Sequence, residues 1–142
     1  MMKQASLQDW FEINGLFIRY ATMLDHCDVE GVVGCFSASA FIESPVLGRF
    51  EGHAGIRDFA ERTERVTRER KAQFRHVVSN VTAEVDGDKA KARCYLLDFY
   101  TCDGETELLS PGEYVCDLTR VGGQWLFDSR IVIMDKSFDV HM

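Results

Sequence analysis

Apolar residues near the start of the chain recur at intervals of three and four, which is the period of one helix face. The positions on this face are Trp10, Ile13, Phe17, Tyr20 and Leu24. Ser6 and Asp9 have the spacing of a capping box. The pattern therefore predicts a helix from about Leu7 to Leu24.

Two further helices are expected in the first half of the chain. Asp28 has the position of an N-cap for a short helix with an apolar side, and the third helix is predicted from about His53 to Arg70, with its charged face in solvent. The apolar side of the short helix comprises Val29, Val32, Val33 and Phe36. Between these helices, a short strand is predicted at Phe41–Glu43, followed by an irregular loop that carries Gly48, Gly52 and Gly55.

From Phe74 onward the pattern changes to the period of two that is typical of strands. Four strands are predicted, at Phe74–Val85, Lys89–Cys102, Pro111–Val121 and Gln124–Met134. Short turns containing Gly87, Gly104 and Gly122 join them, so they form an antiparallel meander. Helices followed by strands indicate the α+β class in one domain, residues 1–142, whose last eight residues form a tail that frays or packs at an oligomer contact. If the sheet curls, the three helices cover its concave side and enclose a blind pocket.

Composition narrows the range of partners. The 142 residues carry a net charge of −7, which argues against nucleic acids and anionic membranes as ligands. Ten phenylalanines suit a pocket for a flat organic molecule. The five cysteines show no metal-binding spacing, and the first residues lack the apolar segment of a signal peptide, so reduced thiols and a cytoplasmic location are expected.

Three polar residues at apolar positions are the candidates for catalysis: Tyr20, Asp25 and His76. Asp25 lies at the negative end of the first helix, where a nearby imidazolium would stabilise it. A buried His76 needs a partner for its second nitrogen, so an Asp25–His76 pair with a free nitrogen as general base satisfies both. The alternatives are a surface carboxylate in a turn for Asp25, a satisfied core histidine for His76 and a core aromatic for Tyr20.

Further residues are candidates for substrate binding because they share strand faces with apolar neighbours. The polar ones are Asn80, Asp98, Tyr100 and Tyr114, and the proposed wall residues are Trp10, Phe36, Phe41 and Met134. Asp98 is either a pocket group or a partner for Arg93 or Arg130, and a strand arginine such as Arg130 more often pairs with a carboxylate. No metal cluster or cofactor motif is present, so activity without a metal or cofactor is expected.

Several short motifs occur in the order that is typical of one superfamily. They are Tyr20-Ala-Thr-Met-Leu24-Asp25-His-Cys-Asp28, Gly52-His53-Ala-Gly55-Ile56, His76-Val-Val-Ser-Asn80 and Gly123-Gln-Trp125-Leu-Phe127. In this respect the chain resembles the SnoaL-like branch of the NTF2-like superfamily over about Leu7 to Met134. The resemblance implies a cone-shaped α+β fold with a curved antiparallel sheet covered by three N-terminal helices, and a homo-oligomer, with a trimer favoured over a dimer.

Within this branch the chain is similar to scytalone dehydratases and bile-acid 7α-dehydratases. The resemblance implies that Asp25 and His76 carry proton transfer and that Tyr20 completes the site. It departs from the first family in having Leu24 rather than a tyrosine before the aspartate, and Asp98 or Tyr100 near the position of its second histidine.

The predicted function is a cofactor-independent dehydratase, a carbon–oxygen lyase that acts on a small, hydrophobic, cyclic hydroxy-carbonyl compound. His76 is the expected base, Asp25 orients it and Tyr20 is a hydrogen-bond donor to the carbonyl. An isomerase or cyclase of the same fold is the first alternative, and a non-catalytic ligand-binding or scaffold domain is the second.

Overall fold

A computed structural model describes residues 1–138 and consists of one sheet and three helices. The helices are α1 (Leu7–Asp25), α2 (Val29–Val33) and α3 (Gly52–Glu69). The strands are β1 (Lys3–Gln4), β2 (Phe36–Ser44), β3 (Gly48–Glu51), β4 (Gln73–Asp86), β5 (Lys89–Cys102), β6 (Glu105–Val121) and β7 (Gln124–Met134). The expected α+β architecture is confirmed.

Side-chain caps begin the first two helices where the sequence predicts them. The Ser6 hydroxyl accepts the Asp9 backbone N–H at 3.1 Å, and the Asp28 carboxylate accepts the Gly31 backbone N–H at 2.9 Å. The apolar stripe of α1 is buried from Ile13 to Leu24 against the sheet. As a result, the last turn of α1 brings Tyr20 and Asp25 towards β4 and β6.

The seven strands follow the order β1-β4-β5-β6-β7-β2-β3. The meander from β4 to β7 is antiparallel as predicted, whereas β2 pairs with β7 in parallel. The predicted Phe41–Glu43 strand is too short, because β2 is extended by this non-local pairing. Gly48–Glu51 is a strand rather than the predicted irregular loop, since it forms a hairpin with β2.

Three irregularities in register bend the long strands. They occur between Ser79 and Thr82 in β4, opposite Asp98 and Phe99 in β6, and opposite Asp117 and Leu118 in β7. An inserted residue increases local twist and reverses which face the following side chains occupy. These bulges therefore decide which polar residues point into the concave side of the sheet.

The chain after β7 continues alongside β6. The backbone N–H of Asp135 donates to the Pro111 carbonyl at 2.9 Å, and that of Lys136 donates to the Ser110 hydroxyl at 3.0 Å. Phe138, which is partly buried, then packs against Val66, Phe74 and Leu109. The described part of the predicted tail thus packs against the chain's own sheet, and residues 139–142, with His141, lie outside the described residues.

The five cysteines all lie within the described residues and are free thiols, three of them buried. Of the helices between residues 1 and 138, none is long and apolar enough to cross a membrane.

Two glycines provide a matched test of strand packing. A Cβ at Gly112 in β6 would lie 2.1 Å from the Ile133 carbonyl oxygen, whereas a Cβ at Gly15 in α1 would meet nothing within 4 Å. We expect Gly112→Ala to lower the free energy of unfolding by about 2 kcal/mol because the β6–β7 backbone must move. Gly15→Ala should raise it by about 0.5–1 kcal/mol, since alanine loses less backbone entropy in a helix.

Urea denaturation of both variants measures these changes. An unchanged unfolding midpoint for Gly112→Ala would contradict the close approach of β6 and β7 at this position.

Candidate active site

The last residue of α1 and a residue on β4 form a closely bonded pair. The Asp25 carboxylate meets the His76 ring nitrogen Nδ1 at 2.5 Å through one oxygen and accepts the His76 backbone N–H at 2.9 Å through the other. Both side chains are less than a tenth exposed. Because Asp25 binds Nδ1, the other nitrogen, Nε2, is the one left for chemistry. The predicted pairing of Asp25 with His76 is present.

Two contacts hold this pair in position. The Gln73 amide donates to the backbone carbonyl of Asp25 at 2.9 Å, which ties the end of α1 to the start of β4. The Phe74 ring stacks on the imidazole with a centroid separation of 5.9 Å. Rotation of the imidazole would therefore break a hydrogen bond and a ring contact together.

A second carboxylate faces Nε2. Asp98 on β5 lies directly opposite His76 in the strand register, and its Oδ1 is 3.4 Å from Nε2. That oxygen is buried and has no hydrogen-bond partner among residues 1–138. Burial raises the pKa of Asp98 above its ordinary value of 3.8, although the charge of His76 opposes the rise.

The charge of His76 depends on both carboxylates. Burial disfavours the imidazolium, but the charge of Asp98 and the hydrogen bond and charge of Asp25 outweigh it, so the pKa of His76 is raised above 6.5. The proton on His76 therefore stabilises the fold in full below pH 6.5, and this contribution is lost as pH rises through the raised pKa.

His76 and Asp98 lie in the wall of a cavity of about 60 Å³. This is room for roughly four to six water molecules. The other polar groups in its wall are Tyr20, Tyr114, Ser44 and Thr63. The remaining wall residues are apolar, and they include Phe138 from the segment that follows β7. Asp25 lies behind the imidazole and not in the wall, so only the Nε2 side of the pair faces a ligand.

The two phenols in the wall are held in the protonated form. Burial raises the pKa of Tyr20 to about 12, against the opposing charge of Arg130. Burial and the proximity of Tyr20 raise the pKa of Tyr114 well above 10.0. Both hydroxyls can therefore donate hydrogen bonds across the neutral pH range.

Arg130 on β7 is fully buried among five aromatic rings. Its guanidinium carbon lies 3.6 Å from the ring centroid of Tyr20, 3.9 Å from that of Tyr114 and 4.4 Å from that of Phe127, with Phe17 and Phe36 within 6.0 Å. None of its three nitrogens has a hydrogen-bond partner in the described part of the chain. The expectation that Arg130 pairs with a carboxylate is wrong, because aromatic faces take that place.

Five of the residues proposed for the site are in the cavity wall and six, Asp25 among them, are not. Those in the wall are Tyr20, His76, Asp98, Tyr114 and Met134. Trp10 shares the stripe of Tyr20 but lies about 15 Å further along the helix, where its ring N–H donates to the Val81 carbonyl at 2.9 Å. Trp10 therefore does not line the cavity that contains His76.

The other residues outside the wall have equally specific positions. Phe36 packs in the core beneath Tyr20 and Phe127, and Phe41 lies under the Arg49 guanidinium at 3.8 Å. Asn80 shares the strand parity of His76, but it falls at the β4 bulge with a φ of 56° and points to solvent. Tyr100 lies on the same face of β5 as Asp98 but outside the cavity wall, where it packs against Phe74.

Sequence reasoning missed Arg130 and Phe138. The signal for Arg130 was that it shares a strand face with Val132 and Met134, and this face of β7 lines the cavity. For Phe138, the signal was a large apolar residue in an otherwise polar tail.

The raised pKa of His76 can be measured by following its ring protons in NMR titrations. We expect the wild-type ring to titrate above pH 6.5, and Asp98→Asn to lower this pKa because it removes a neighbouring negative charge. Asp117→Asn is the control, since Asp117 is more than half exposed and pairs with Lys91. Equal titration of His76 in wild type and Asp98→Asn would contradict the proximity of Asp98.

The unpaired guanidinium suggests a substitution of similar volume. We expect Arg130→Met to leave the free energy of unfolding within about 1 kcal/mol of wild type, or to raise it, because a buried charge without partners is costly. The pKa of Tyr20 should rise further, since the charge of Arg130 lowers it. Urea denaturation and titration of tyrosine absorbance test both points, and a loss of several kcal/mol would show that the cation–π contacts dominate.

Comparisons with known proteins agree with this architecture. The sequence matches the model of the SnoaL-like domain over residues 5–131. A Mycobacterium tuberculosis protein of unknown function, Rv3472, is 27% identical and covers 92% of this chain and 73% of its own, with a TM-score of 0.83. No curated protein matches the chain.

Two solved structures from Novosphingobium aromaticivorans share the fold at lower identity. A candidate aromatic ring hydroxylase is 24% identical and covers 96% of this chain and 95% of its own, with a TM-score of 0.80. A candidate scytalone dehydratase is 20% identical and covers 96% of this chain and 90% of its own, with a TM-score of 0.81. From the match over residues 5–131, the chain belongs to the SnoaL-like domain family.

Proposed function

We propose that the protein is a cofactor-independent dehydratase that removes water from a hydrophobic β-hydroxy-carbonyl compound. One observation carries the proposal: Nε2 of an imidazole held by Asp25 faces a small, mostly apolar cavity whose wall also contains two protonated phenols. The cavity thus holds a base and hydrogen-bond donors side by side.

The reaction begins with proton removal. Neutral His76 takes the proton α to the carbonyl through Nε2, and the Asp25 carboxylate stabilises the imidazolium that forms. The electron pair of the broken C–H bond moves into an enolate, whose oxygen accepts a hydrogen bond from the Tyr20 hydroxyl. Tyr114 is a second donor of the same kind.

The reaction ends with loss of hydroxide. The enolate pair forms the new C=C bond, the C–O bond at the β-carbon breaks, and the imidazolium gives its proton to the departing oxygen. Water and a conjugated carbonyl compound result, and His76 returns to its neutral form. Because the pKa of His76 is raised, the rate should increase as pH rises through that pKa.

Arg130 contributes through the phenols. Its charge lies within 4 Å of both tyrosine ring centroids and lowers the pKa of each phenol relative to burial alone. A phenol with a lower pKa is a better donor to an enolate oxygen, so the cost of an unpaired buried charge is offset where negative charge develops.

An isomerase uses the same base and donors, and differs only in returning the proton to another carbon. The carboxyl of Asp98 favours this second candidate, because a buried acid with a raised pKa can protonate a different position on the substrate. The enzyme would then convert a β,γ-unsaturated ketone without a hydroxyl group.

The homo-oligomeric state that the resemblance implies stays a prediction.

The activity test uses 3-hydroxycyclohexanone and larger β-hydroxy-ketones, with the conjugated product followed by its ultraviolet absorbance. We expect His76→Ala to lower the rate by about 10²–10⁴-fold, since one general base contributes that much. His26→Gln is the matched control, because His26 lies one residue beyond α1 and bonds the Thr22 carbonyl away from the cavity.

Either of two results would contradict the dehydratase. One is a rate in His76→Ala equal to that of wild type. The other is turnover of cyclohex-3-enone without turnover of any hydroxy-ketone, which would favour the isomerase.

A further inference from the structure

The wall of the cavity contains one carboxylate oxygen that the protein leaves unsatisfied. Oδ1 of Asp98 is buried, lacks a hydrogen-bond partner in residues 1–138 and lies 3.4 Å from His76 Nε2. The Asp98 side chain is only 7% exposed. A buried acceptor without a donor is costly, so a ligand that supplies a donor here gains binding free energy.

The other side-chain oxygens of the wall belong to hydroxyl groups that already make hydrogen bonds within the protein or that serve as donors. The Ser44 hydroxyl accepts the backbone N–H groups of Val46 and Leu47, and the Thr63 hydroxyl donates to the Phe59 carbonyl at 3.2 Å. The phenols of Tyr20 and Tyr114 lie beside the positive charge of Arg130 and serve as donors. Asp98 is therefore the acceptor of the cavity wall, and the phenols are its donors.

We propose that Asp98 is the specificity residue that accepts a hydrogen bond from a ligand hydroxyl and holds that hydroxyl against Nε2 of His76. A hydroxyl fits this place because it donates to Oδ1 while its oxygen stays within reach of the imidazole. The ligand class is a compact alcohol with an apolar skeleton, and a carbonyl on the same skeleton would accept from a phenol.

This assignment rests on the proposed function for its chemistry and gives the substrate an orientation. The hydroxyl that leaves is the one at Asp98, so the proton released by His76 travels to that oxygen as the C–O bond breaks. Asp98 gains and loses nothing in the step, and its role is to position the hydroxyl. The volume of about 60 Å³ is far below that of usual ligand pockets, so the skeleton is compact and a ring enters only when the wall moves.

The test uses two ligands of the same shape that cannot undergo this dehydration: cyclohexanol and methylcyclohexane. Their dissociation constants are measured by NMR on wild type and on Asp98→Leu, in which an apolar group of similar size replaces the acceptor. We expect the preference for the alcohol to fall by about 10–100-fold in Asp98→Leu, the usual effect of one hydrogen bond to a charged group.

Two further variants separate loss of the acceptor from loss of the fold. Asp98→Asn keeps a carbonyl acceptor without the charge and should lie between wild type and Asp98→Leu. Asp117→Leu removes an exposed carboxylate on the outer face of β6 and should leave the preference unchanged. Thermal melts establish that each variant is folded.

The proposal is overturned if the alcohol preference is the same in wild type, Asp98→Asn and Asp98→Leu, or if neither ligand binds in the millimolar range. Turnover of 3-hydroxycyclohexanone is measured separately. An Asp98-dependent preference without turnover would leave this assignment standing and refute the dehydratase, whereas turnover without such a preference would do the opposite.

Discussion

The contact between the Asp25 carboxylate and His76 is the one on which the site depends, because the carboxylate bonds both the ring and the backbone of His76. One oxygen meets Nδ1 and the other accepts the backbone N–H of the same residue. The end of α1 is therefore fixed to β4, and the imidazole has one orientation. Tyr20 lies five residues, more than one helical turn, before Asp25, so the same contact also sets the position of its phenol over the cavity.

Charge in the core is distributed in an unusual way around this contact. Two carboxylates flank one imidazole, while the guanidinium of Arg130 has no carboxylate partner and lies among aromatic faces. Pairing Arg130 with Asp98 would have satisfied both groups and left the cavity without an acceptor or a polarised donor. Keeping them apart costs stability and gives the cavity wall both an acceptor and donors.

Sequence reasoning succeeded where local signals determine the structure and failed where a bulge changes the register. The α1 cap and the four long strands follow from spacing along the chain, and the Asp25–His76 contact follows from what a carboxylate at a helix end and a buried imidazole each need. Asn80 was misplaced because the β4 bulge carries it to the solvent side, although it shares the parity of His76. In β7, the extra residue at Asp128 places Arg130 on the same face as Phe127. A strict period of two that is counted from Phe127 therefore points Arg130 to solvent, which is the wrong face.

Long-range contacts explain what no local pattern could predict. The parallel pairing of β2 with β7 joins segments about ninety residues apart and extends β2 well beyond its predicted length. Residues 135–138 continue alongside β6 and bring Phe138 into the cavity wall. The base and the hydrogen-bonding groups proposed to act on a ligand come from α1, β4, β5 and β6, whereas Phe138 adds an apolar side chain from beyond the last strand. The chemistry of the cavity and part of its apolar wall are therefore determined by different parts of the chain.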